Sequence, residues 1–88
     1  MTTNYGSPIN GALTTTTAVV NVVGFQIPAT LVLNSTDSGK GIAFSFDGTN
    51  YYPTTPTGTT TGQLYYVLTF PVKSVRFSGA INDTYSIL

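Results

Sequence analysis

The chain is 88 residues long, enough for one domain, and carries three basic and three acidic side chains, no His and no Cys. Charged residues make up 7% of it and hydrophobic ones 41%, which leaves acid–base and nucleophilic catalysis almost nothing titratable to use. Thiolate and imidazole metal sites are excluded, and three cations in a neutral chain cannot build the phosphate-neutralising patch of a nucleic-acid binder.

Composition therefore points to a structural or binding part and not to an enzyme, with no cofactor. No segment approaches the ~18 apolar residues of a membrane span. A chain of this size buries only about 60–65% of its unfolded surface, and small domains compensate with disulfides, metals or self-association. Only self-association is left open here, and a surface of Thr, Ser, Asn and Tyr, which repels nothing, suits it.

In chain order, residues 1–16 read as an extended or flexible N-terminal arm ahead of a single β-sandwich domain at 17–88. Tyr5, Ile9 and Leu13 are isolated apolar residues there, spaced too far apart for a core face, and are expected to anchor the arm on a neighbouring protein. The opening MTTNYGSPINGALTTTT has no basic stretch leading into an apolar one, so no secretory signal is visible.

From Thr17 onward Val, Ile, Thr, Tyr and Phe dominate, and helical spacing is absent. Strands are predicted at Thr17–Val23, Ala29–Asn34, Gly41–Phe46, Tyr51–Thr54, Gln63–Phe70, Val72–Ser78 and Thr84–Leu88. Ile42, Phe44 and Phe46 alternate with Ala43 and Ser45. Val75 and Phe77 alternate with Ser74, Arg76 and Ser78, which puts Arg76 on the outer face, and Tyr85 and Ile87 alternate with Ser86 and Leu88. About seven short antiparallel strands, with turns about every 8–12 residues, make an all-β chain, a small β-sandwich or jelly roll.

Asp47-Gly48 between Phe46 and the Tyr51-Tyr52 pair is a hairpin signal, with Gly48 supplying positive φ. Further turns fall at Asn34–Gly41 and Gly79–Asp83. Pro53 and Pro56 mark a sheet edge, because proline donates nothing to a ladder.

Asp47, Asn50, Asn82 and Asp83 would bind calcium only if two loops met, and calcium takes 6–8 oxygens; ordinary turn formation explains the same residues. Tyr51, Tyr52, Tyr65 and Tyr66 offer rings for sugar stacking or for protein contact, with adjacent tyrosines on opposite strand faces. Lys73 and Arg76 lack acidic neighbours in sequence, so a cross-strand Asp or a neighbouring subunit is the expected partner of Arg76. Asn34-Ser35-Thr36 and Asn82-Asp83-Thr84 match the glycosylation acceptor pattern.

The run FSFDGTNYYP, then LTFPVKSVRFSG and the closing NDTYSIL, resembles a recurring half-sandwich: a strand ending in S-x-D-G, an aromatic after the turn, then V-x-x-V-R. Discoidin-like and galactose-binding-like sandwiches carry a similar pattern over Gly41–Leu88, with Trp where this chain has Tyr51 or Tyr52. Short Thr/Gly-rich virion proteins of tailed bacteriophages, capsid decoration (cement) proteins among them, are similar as well, and they agree better in size, charge and lack of Cys.

The second resemblance implies a structural virion protein on the capsid surface, synthesised in the host cytoplasm. Its implied partners are the major capsid protein, or another virion protein, and its own copies, with a trimer as the first expectation. Tyr5, Ile9, Leu13, Tyr51, Tyr52, Tyr65 and Arg76 are the expected contact residues. The alternative is a carbohydrate-binding or adhesive module of a tail or fibre.

Overall fold

Ala29, Leu31 and Leu33 are buried, whereas Thr30, Val32 and Asn34 between them are not. This period of two marks a half-buried strand and holds throughout β3 (Ala29–Asn34). The computed structural model describes residues 9–58 and 62–88. Among these the strands are β1 (Ile9–Ala12), β2 (Thr17–Asn21), β3, β4 (Gly41–Ser45), β5 (Tyr52–Pro53), β6 (Thr57–Gly58), β7 (Gln63–Leu68), β8 (Ser74–Ser78) and β9 (Thr84–Ile87).

They form two antiparallel sheets, the first in the order β1-β9-β3-β7-β6 and the second in the order β2-β8-β4-β5. The chain changes sheet at nearly every connection; only β4–β5 and β6–β7 are hairpins within one sheet. Register fixes which loops meet. Connections 13–16, 35–40 and 79–83 gather at one end, and 22–28, 46–51 and 69–73 at the other. The Ile27–Pro28 peptide in the second group is cis.

The core lies between the sheets, where Leu31, Leu33, Leu68 and Ile87 of the first meet Ile42, Val75 and Phe77 of the second. The predicted outward position of Arg76 holds, and so does the edge at Pro53, since β5 closes the second sheet. Gly48 has φ +84°, as its turn requires.

Two expectations are corrected. Residues 9–16 are not an arm. β1 pairs with β9, Ile9 opposite Ile87, and Leu13 is 1% exposed within the chain's own core. The Leu13 amide donates to the Asp83 carbonyl (2.7 Å) and its carbonyl accepts from the Asn82 amide (2.8 Å). The apolar spacing looked too sparse because Gly11 occupies the inward position between Ile9 and Leu13. The Tyr85 ring fills the space a side chain would take there. Tyr5 lies outside the described residues.

The strand count is the second correction. The described residues hold nine strands where about seven were expected, because β1 and the two-residue β6 carry too little alternation to stand out.

Candidate functional site

The outer face of the second sheet carries the most organised polar cluster. Arg76 lies at its middle, opposite Val19 on β2 and Ala43 on β4. Its guanidinium carbon sits 4.7 Å from the centroid of the Tyr51 ring, within the range of a cation–π contact. The Arg76 Nε is buried with no hydrogen-bond partner. The expected acidic cross-strand neighbour is absent among the described residues: both positions opposite Arg76 are apolar.

Tyr51 reaches this position because the 46–50 turn folds back over the sheet. The turn is built on Asp47. The Asn50 and Thr49 amides each donate to its Oδ1 (2.8 Å), the Asn50 side chain donates to Oδ2 (2.7 Å) and the Ser45 hydroxyl donates to Oδ1 (2.9 Å). These donors hold the Asp47 carboxyl well below the usual carboxylate range. The Tyr51 hydroxyl then shares a hydrogen bond with Ser74 Oγ at 2.8 Å. Ser45 and Ala43, though on the outer face, are buried as a result.

Beside Tyr51 lies an open hollow of about 310 Å³ lined by Val19, Asn21, Asp47, Tyr51, Lys73 and Ser74. Among the described residues no three His, Cys, Asp or Glu come together. Asp47 and Asp83 occupy opposite ends of the sandwich, so the calcium arrangement that needed both loops together does not form.

Asp83 is likewise absorbed in its turn. Its Oδ2 accepts from the Ser35 hydroxyl and from the Ala80 amide (2.7 Å), which lowers its pKa, the Ser35 bond most. The Asp37 amide donates to Ser35 Oγ in turn (3.1 Å), tying connection 35–40 to connection 79–83.

The remaining expected contact residues do not join Arg76 and Tyr51. Tyr52 turns the other way and meets Phe44 (centroids 5.9 Å apart) and Phe46 (6.3 Å). With Phe70 these rings form an aromatic cluster in which Phe46 and Tyr52 are more than half exposed. Ile9 is half-buried against the core. Tyr65 sits on the outer face of the first sheet, opposite Val32 on β3 and Thr57 on β6.

That face carries no charged side chain. Asp37, Lys40, Asp47, Lys73, Arg76 and Asp83 all belong to the second sheet or to the connections. Its polar groups bond sideways: Gln63 Nε2 donates to Asn34 Oδ1 (2.9 Å), Asn34 Nδ2 to Thr84 Oγ1 (3.1 Å) and the Ser86 hydroxyl to Asn10 Oδ1 (2.7 Å). Tyr65 and Val67 are exposed among them. Sequence reasoning missed Val67 and Phe46 as exposed surface residues; Val67 shares the strand parity of Tyr65 on β7. No protein-family model, curated protein or solved structure matches the chain.

Proposed function

We propose that this chain is a structural virion protein that decorates and stabilises a phage capsid by protein–protein contact, docking through the outer face of the first sheet. The supporting observation is the absence of charge on that face, combined with side-chain amides that are already paired laterally. A partner covering it desolvates no ion and breaks few hydrogen bonds, so Tyr65 and Val67 supply the apolar contact. Binding only to the assembled lattice stabilises that lattice by mass action. Many copies repeated by symmetry reach useful strength even when each covers less than the about 1,200–2,000 Å² of a stable pair.

Co-sedimentation with purified shells lacking the protein, at low and at high salt, is the test. Salt-independent occupancy that is lost in Tyr65→Lys and in Val67→Lys supports the reading. No sedimentation with shells, or release by salt alone, would overturn it.

The carbohydrate-binding alternative draws on one observation, the polar hollow beside Tyr51. A glycan-array signal abolished by Tyr51→Ala, with no shell binding, would move the assignment there.

A further inference from the structure

The two sides of the sandwich end differently. On one side the sheets close with β5 and β6, two residues each, flanked or filled by Pro53 and Pro56. Short, proline-marked edges are how proteins prevent strand addition. On the other side the sheets end in β1 and β2, neither of which contains a proline or a charged residue.

Hydrogen-bond parity shows what β2 exposes. The Val22 amide donates to the Lys73 carbonyl (2.9 Å) and the Gly79 amide to the Thr16 carbonyl (2.9 Å). Antiparallel bonding alternates, so even-numbered residues 16–22 address β8. The amides and carbonyls of Thr17, Val19 and Asn21 point away from the molecule. The Thr15 hydroxyl donates to the Thr17 carbonyl at 2.9 Å and accepts from the Thr17 amide at 3.4 Å; among the described residues no such side-chain cap covers Val19.

We propose that β2 is a self-pairing edge, at which two copies of this chain join antiparallel through a two-fold axis at Val19. The sequence Thr17-Ala18-Val19-Val20-Asn21 is complementary to itself in that register. Val19, 58% exposed, covers its own copy, Thr17 faces Asn21, and Ala18 faces Val20 on the core side. Val19 makes about two main-chain hydrogen bonds with its own copy, and Thr17 opposite Asn21 makes about four more across the pair once the Thr15 hydroxyl leaves the Thr17 amide and carbonyl.

Arg76 lies one strand in from Val19, which separates the two guanidinium positions by about three strand spacings, ~14 Å. That exceeds the screening length of about 8–10 Å. β1 is the weaker candidate, because its outward positions are Asn10 and Ala12 around Gly11, with only the Ala12 methyl to cover. This pairing is two-fold, unlike the trimer expected from sequence, since a strand pairs antiparallel with its own copy only across a two-fold axis. The inference does not rest on the capsid reading and is measured on the isolated chain.

Sedimentation equilibrium should give twice the 9.3 kDa chain mass in the micromolar range. Val19→Lys sets like charges face to face. Val19→Pro removes only an outward amide, so the chain's own ladder stays intact. Both should give the single-chain mass with an unchanged circular dichroism spectrum.

Val19→Cys, the sole cysteine in such a variant, should oxidise to a linked pair. A hydrogen-bonded antiparallel pair holds its Cα atoms about 5.5 Å apart, within disulfide range. Thr57→Cys on β6 should stay single. A single-chain mass at every concentration, a pair that survives both Val19→Lys and Val19→Pro, or a folded Val19→Cys that does not link would each overturn the inference.

Discussion

Tyr85 lies flat against Phe77 across the two sheets, with ring centroids 4.7 Å apart and planes 13° from parallel. The stack joins β9 to β8 through the core and extends the Tyr85 ring over Gly11 on β1. One aromatic side chain thereby holds the edge strand, its neighbour and the opposite sheet together.

Gly11→Ala tests this arrangement. A Cβ at Gly11 meets the Tyr85 hydroxyl and ring, and the Phe77 stack prevents the ring from swinging clear. Overpacking should cost about 1–3 kcal/mol in urea denaturation. In a Tyr85→Leu background the same substitution should cost much less, because the obstructing ring is gone.

Leu13→Ala should destabilise the isolated chain by about 2–5 kcal/mol, the usual range for emptying a buried leucine site. A residue that only anchored an arm on another protein would leave the free chain's midpoint unchanged. Thermal or urea unfolding of the isolated chain distinguishes the two roles directly.

Acid should weaken the fold through both turn carboxylates. Asp47 and Asp83 have pKa values lowered from an ordinary 3.8, so the folded state binds protons less readily than the unfolded one. Their contribution is complete above that value and declines as pH falls below it toward the folded-state values. A pH series of unfolding midpoints should show this slope between about pH 4 and 2. The Asp47→Asn, Asp83→Asn double variant should flatten it.

The Tyr51–Arg76 contact should appear as a coupling energy. Tyr51→Phe removes the hydrogen bond to Ser74 and should cost about 1 kcal/mol, while keeping the ring over the guanidinium. A double-mutant cycle with Tyr51→Leu and Arg76→Met should give a coupling of about 0.5–1 kcal/mol, the range for an exposed cation–π pair. A coupling near zero would mean that the ring and the guanidinium are neighbours without attraction.

The sandwich was legible wherever alternation was strong. Ala29–Asn34 falls within its predicted bounds, and Ser74–Ser78, Gly41–Ser45 and Thr84–Ile87 fall within predicted strands, because inward Leu, Val, Ile and Phe alternate with polar residues there. β1 was not legible, since its inward face is completed by a ring from a residue 74 positions later. Tyr51 and Arg76 were each singled out, but their contact depends on the Asp47 turn folding over the sheet, and no local pattern encodes that. Tyr65 was named as a contact residue, and parity put it and Tyr66 on opposite faces without saying which face was outer. The charge-free face around it became visible only once β1, β9, β3 and β7 were known to lie side by side.

The proline-marked side of the sandwich sets a valence. A copy with two adhesive edges would add further copies without limit and grow into a filament. Among the described residues β5 and β6 leave only short, proline-marked edges, so pairing through β2 would stop growth once that side is occupied.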